Sequence, residues 1–313
     1  MVMETIPYGG WKRALRLGNG VVELLATLEV GPRILRFGFV GGANVLKEIP
    51  EELGGQGEAQ FMMRGGHRLW TSPEDPARTF APDNGPVDEE RLAGSVALTT
   101  PADPDTGLER TMRLVLDETK PRLTIEHVIR NRSAHSHTLA PWALTVLAPG
   151  GTAVFPLPAY APHPGNAGKS ATDFAPQLSL ALWPYFRFTD RRFTFGDRFV
   201  RIQQDPRARG PAKIGAGLRE AWAAYQLADL VFIKRFPFDE GRVYPDGNCN
   251  FESYTDAGIL ELESLGALSK LEPGDEVLHT ETWSLHERPA GFDVTSASED
   301  LLAATFAPWL GNS

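Results

Sequence analysis

The 31 glycines and 25 prolines of this chain are spread along all 313 residues and not gathered into a linker. Punctuation of that kind leaves little room for long helices and suits many short strands joined by turns. Residues 21–30 read as a β-rich strand, Gly31-Pro32 breaks it, and 33–39 resumes with Leu35, Phe37 and Phe39 alternating before Gly41-Gly42. Together they form a hairpin-like pair. Further strands are expected at 111–116, 122–130, 138–147, 193–195, 199–203, 230–236, 258–265 and 277–285. Residues 220–227 are ambiguous, because Ala221, Ala223 and Ala224 favour helix while Trp222 and Tyr225 favour strand; they are read as strand. Ser296 and Glu299 have capping-box spacing ahead of Leu301, Leu302, Phe306 and Leu310, which predicts a short C-terminal helix. Segments 51–91 and 156–177 look loop-rich and are long for plain connections. With no internal repeat and no sharp change of composition, the expectation is an all-β chain forming a single domain over residues 1–313.

Composition narrows the function classes. A chain that is 42% hydrophobic and 23% charged can bury a large core. Its formal net charge of −9 argues against a nucleic-acid surface, which needs clustered Lys and Arg to neutralise phosphates, yet leaves room for a local basic pocket. Cys249 is the only cysteine, so there is no disulfide framework and no cysteine-rich metal site. The first residues lack a basic region followed by an apolar run, and no stretch is long and apolar enough to span a bilayer. A cytoplasmic protein without membrane contact is expected. No P-loop, no dinucleotide-binding glycine pattern, no nucleophile elbow and no strong metal motif occurs, so neither cofactor nor metal is expected.

Residues 61–75 concentrate chemistry: Arg64, His67, Arg68, Trp70 and Glu74 lie within eleven positions around Gly65-Gly66. An aromatic ring beside a proton-transfer group and fork-shaped donors suits a sugar, which offers C–H faces and hydroxyls. A turn with scattered surface charges is the plainer account. In 258–265, Glu261 and Glu263 share one face of a strand and Leu260 and Leu262 the other. Carboxylates about 7 Å apart on a partly dry face raise each other's proton affinity, so that either serves as a base near neutral pH. A solvated sheet face would look the same. Trp142 lies in an apolar strand, where core packing is the commoner role. Lys213 sits among glycines that allow close backbone approach to a ligand, or is simply a surface lysine. Asp246 and Asn248 are turn formers first and hydroxyl ligands second. His127 shares a strand face with Leu123, Ile125 and Ile129, the pattern of a satisfied core histidine, while His135 and His137 flank a turn.

The motifs Gly65-Gly66-His67-Arg68-Leu69-Trp70 with Pro73-Glu74, Ala140-Pro141-Trp142 with Pro149-Gly150-Gly151, and Glu261-Leu262-Glu263-Ser264-Leu265-Gly266 with Pro273-Gly274 and Trp283 resemble the galactose mutarotase-like (aldose 1-epimerase-like) superfamily, and more closely a bacterial branch of it. Arg64-Gly65-Gly66 with Trp70 also resembles the hexose-6-phosphate epimerase branch. The resemblance implies a β-supersandwich with a sugar site on the concave face of the larger sheet. In active members a glutamate takes the anomeric hydroxyl proton and a histidine protonates the ring oxygen. That glutamate maps to Glu263, with Glu261 as its rival. The family's second histidine is missing where this chain has Pro141-Trp142-Ala143, which leaves His67 as the acid. The expected ligand is a small-molecule carbohydrate, held by Arg64, Arg68, Trp70, Glu74, Trp142, Lys213 and Asp246. A non-catalytic sugar-binding or sensing protein and a sugar-phosphate epimerase are the alternatives.

Overall fold

A computed structural model describes residues 1–311 and consists mainly of two antiparallel sheets. The larger sheet runs in the order Val2–Tyr8, Trp11–Gly18, Val22–Thr27, Ile34–Phe39, His67–Ser72, His137–Leu147, Leu260–Leu265, Phe251–Thr255, Ala212–Ala216 and Leu180–Leu182, with Ser269–Leu271 also pairing to His137–Leu147. The smaller sheet runs Phe193–Phe195, Phe199–Gln203, Thr152–Pro156, Trp222–Leu227, Leu230–Arg235, Glu276–Glu287, Arg122–Asn131, Leu108–Leu116, Ser95–Thr99 and Asp88–Leu92. Between them lies the main core, with Phe37, Phe155, Phe232, Phe251, Leu262 and Trp283 all closed to solvent. Sheets that bury one face each against the other are the expected solution for strands of period two.

The expected strands form, and the ambiguous segment is strand Trp222–Leu227. The terminal helix, Glu299–Leu310, packs Leu302 and Phe306 on the outer face of the smaller sheet, where Phe306 lies 5.0 Å from Trp222. Its cap differs from expectation: Ser298, not Ser296, accepts the hydrogen bond from the Leu301 amide, and the Ser296 hydroxyl donates to Asp293 instead. Among the described residues no helix is long and apolar enough to cross a membrane.

The loop-rich reading of 51–91 also needs correcting, because it contains the central strand His67–Ser72. Gly65 and Gly66 launch that strand. Both have positive φ, and a Cβ on either would fall 2.1 Å from the Lys47 carbonyl oxygen or 2.3 Å from that of Ile34. The pair threads between two neighbouring segments, with the Gly66 amide donating to Lys47 and its carbonyl accepting from Val146. Only glycine tolerates both the φ and the approach.

Candidate functional site

Alternation along His67–Ser72 sends Arg68, Trp70 and Ser72 to the outer face of the larger sheet, the face that the resemblance expects to be concave, and His67, Leu69 and Thr71 inward. Cross-strand register then sets the neighbours. Arg68 pairs with Leu144, Leu144 with Glu263, and Glu263 with Glu252, so these four form one row across the face. Trp70 pairs with Trp142 in the next row, their rings 5.4 Å apart and edge-on. Lys213 projects from Ala212–Ala216 into the same face.

The charges on this face form one connected cluster. Lys213 Nζ lies 2.9 Å from Glu263 Oε2 and 2.6 Å from Glu252 Oε2. The Trp142 indole N–H donates to Glu263 Oε2 at 2.8 Å, and Arg68 Nη2 donates to Glu261 Oε1 at 3.3 Å. Three carboxyls thus face two cations in a nearly dry setting, where an unbalanced charge is expensive. Burial, opposed by Arg68 and reinforced by Glu263, lifts Glu261 to about 7. Burial, opposed by Lys213 and reinforced by Glu263, pushes Glu252 well above the usual carboxylate range. Burial alone would pull Lys213 down, but Glu263 and Glu252 outweigh it and hold its ammonium above the ordinary value.

The tryptophans do a different task from the one expected. The Arg68 guanidinium covers Trp70 at 4.1 Å, and Lys213 Nζ lies 4.6 Å from the Trp142 ring and 4.7 Å from that of Trp183. These rings hold cations by their negative π-faces, so the stacking surfaces foreseen for a sugar are already engaged. Open aromatic surface is found instead at Tyr185 and Phe80 around the mouth. Burial raises the Tyr185 phenol, and Lys213, Glu263, Glu74 and Glu252 all act on it, which sets Tyr185 and the exposed Glu74 beside the cluster. Asp246 lies at the edge, accepting from the Ser72 hydroxyl at 3.1 Å.

Two expected members are elsewhere. Arg64 is sealed in a loop scaffold, its guanidinium donating to the Glu52 carbonyl, to Glu58 at 2.7 Å and to Asn84 at 2.9 Å. His67 faces the smaller sheet. His127 Nδ1 donates to the His279 carbonyl at 3.1 Å; a neutral His127 therefore accepts at Nε2 from His67 Nε2, 2.8 Å away. The remaining nitrogen of His67 accepts from Thr145, whose oxygen in turn accepts from Lys234 at 3.0 Å. Burial, with His127 and Lys234 nearby, drives His67 well below the usual imidazole value. It is thus a neutral, fully bonded histidine on the opposite side of the sheet from Glu263, and cannot supply an acid to the concave face.

The same interior holds a set with metal-ligand chemistry: His67, His127 and Glu281 have donor atoms within 4.8 Å of one another. Their bonds are already committed. Glu281 takes Lys234 Nζ at 2.7 Å and the Ser264 hydroxyl on one oxygen, and the Trp283 indole at 2.9 Å on the other. Lys234 supplies there the positive charge that a cation would bring.

No protein-family model and no curated protein matches the sequence. Solved structures do. A galactose mutarotase-like protein from Lactobacillus casei superposes with a TM-score of 0.56 at 11% identity, covering 87% of this chain and 100% of that one. A galactose mutarotase related enzyme from Lactobacillus acidophilus gives 0.51 at 10% identity, covering 88% and 98%. This chain has the galactose mutarotase-like fold. The same mutarotase-like architecture matches part of a TPR-domain containing protein from Parabacteroides distasonis, with a TM-score of 0.59 at 13% identity; 91% of this chain is covered but only 48% of that protein, so this chain spans about half its length. Within the mutarotase-like frame, sequence reasoning missed Glu252, Trp183 and Tyr185. Glu252 was marked by its alternation with Phe251 and Ser253; the two aromatic residues lie in a connection with no periodic signal.

Proposed function

We propose that this protein binds a carbohydrate at the concave face of its larger sheet, and that Glu261 is the group that takes a proton there. One observation carries the reading. Arg68 Nε and Nη1, Glu252 Oε1 and Glu263 Oε1 are buried on that face without a hydrogen-bond partner in the protein. Orphaned polar atoms of this density are costly, and they are matched by a ligand rich in hydroxyls, each of which both donates and accepts. The names of the structural neighbours support the ligand class.

Glu261 is preferred to Glu263 as base. Glu263 is fully buried and its Oε2 already takes both Lys213 and Trp142, whereas Glu261 keeps 6% of its surface open and has one long contact to Arg68. A base near pH 7 balances availability against strength. A second reading, a sugar-binding or sensing protein without turnover, is favoured by the position of His67 on the far side of the sheet. Titration with neutral monosaccharides and glycosides, followed by tryptophan fluorescence, tests binding. Arg68→Ala is expected to weaken the response by roughly 1.5–3 kcal/mol, the worth of hydrogen bonds from a charged donor. A response unchanged by Arg68→Ala, or none from any sugar, counts against the concave face as the site.

A further inference from the structure

Beside the cluster, an open hollow of about 700 Å³ is lined by Arg187, Arg191, Arg192, Arg207 and Arg209, with Asp190 and Asp205 the acidic residues in its lining. In a chain of net charge −9, five arginines against two aspartates give this hollow a local surplus of three positive charges. The two aspartates are already used. Asp190 grips the buried Arg192 at 2.7 Å, and Arg192 also donates to the carbonyls of Thr255 and Gly210, which fixes the wall of the hollow. Asp205 pairs with Arg207 at 3.2 Å. Among the described residues, Arg187, Arg191 and Arg209 are exposed and, unlike Arg192 and Arg207, pair with no carboxylate.

The hollow adjoins the concave face through Tyr185 and Pro211. Tyr185 lines it, and the same phenol is close enough to Lys213, Glu263 and Glu74 for their charges to act on it. Pro211 at its rim is followed two residues later by Lys213, about 7 Å along an extended chain. Arg68 and Lys213, the cations first available to an acidic ligand on the concave face, are neutralised by Glu261, Glu263 and Glu252. Anion recognition falls to the hollow.

We propose that Arg187, Arg191 and Arg209 form a subsite for the anionic group of an acidic saccharide, a phosphate, sulfate or uronic carboxylate, while a neutral ring of the same ligand lies over the Arg68–Glu261 cluster. Guanidiniums suit all three anions, because their forked donors match paired oxygens. The volume lies within the range of small-ligand sites. This inference rests on the carbohydrate reading above.

The test is a binding panel on the full chain: neutral di- and trisaccharides, and the phosphorylated, sulfated and uronic members of the same series. At least one acidic member is expected to bind about tenfold tighter than its neutral parent, exposed ion pairs being individually weak, and the advantage is expected to shrink between about 0.05 M and about 0.5 M salt. Comparison among the three acidic arms tells which anion is read. Arg187→Ala/Arg191→Ala/Arg209→Ala should erase the advantage and leave neutral parents unaffected, and the matching Lys variants should recover part of it. Equal binding of acidic and neutral members, or an advantage that survives the triple Ala variant, overturns the subsite and leaves the carbohydrate reading standing. Binding by no member of either series overturns both.

Discussion

Lys213 Nζ lies 2.9 Å from Glu263 Oε2, so the carboxylate that motif position ranks first as base is an ion-paired group in a dry setting. The same ammonium holds Glu252. Removing it strands two buried carboxyls, and breaking buried pairs from one side costs about 3–5 kcal/mol. Lys213→Met is therefore expected to destabilise the fold by that order in urea unfolding, and adding Glu263→Gln to recover part of the loss. A Lys213→Met protein as stable as the wild type removes the cluster from the account.

Acid stability follows from the interior histidines. Burial, against the attraction of Glu281, lowers His279 to about 3, and burial likewise lowers His127 to about 3 despite its bond to the His279 carbonyl. Both are neutral in the folded protein. As pH falls below the ordinary value of 6.5, the unfolded chain takes up these protons before the folded one does. The contribution of these histidines is thus complete above about pH 6.5 and is lost progressively towards pH 3, at up to about 1.4 kcal/mol per pH unit for each. Glu261 and Glu252, raised in the folded protein, take up protons there over the same range and offset part of this loss. Urea midpoints between about pH 7.5 and about pH 5 should therefore fall more steeply in Glu261→Gln than in the wild type, and a variant whose midpoints do not fall contradicts the buried neutral histidines.

The C-terminal helix separates two serines two residues apart. Ser298→Ala removes the side-chain acceptor for the Leu301 amide and is expected to cost about 0.5–2 kcal/mol. Ser296→Ala touches only an exposed bond to Asp293 and should be nearly neutral. Equal effects in thermal or urea unfolding would return the cap to Ser296.

How much of this could be read from the residues depends on what covered each strand. Phe193–Phe195 and Phe199–Gln203 appear at their expected bounds, since short apolar runs between turn formers leave little choice. His67–Ser72 was hidden for the opposite reason: all six residues are buried, polar ones included, so neither face supplies the polar alternation that marks a half-exposed strand. The same covering misassigned His67. Its neighbours Arg68 and Trp70 do belong to the candidate site, but a step of one residue changes the face. Glu261 and Glu263 were legible because their alternation with Leu260 and Leu262 is clean. Which of them stays free was not, because that depends on Lys213, far off in sequence and brought in by the Ala212–Ala216 strand.

The central claim is that Glu261 takes a proton from a sugar held on the concave face, and polarimetry of anomer interconversion in a sugar shown to bind tests it most directly. The rate should rise with pH through about 7, as the Glu261 carboxyl loses its proton. Glu261→Gln should bind the sugar nearly as before and lose the acceleration. A bound sugar whose anomers relax at the uncatalysed rate, or an acceleration that Glu261→Gln leaves intact, contradicts the claim.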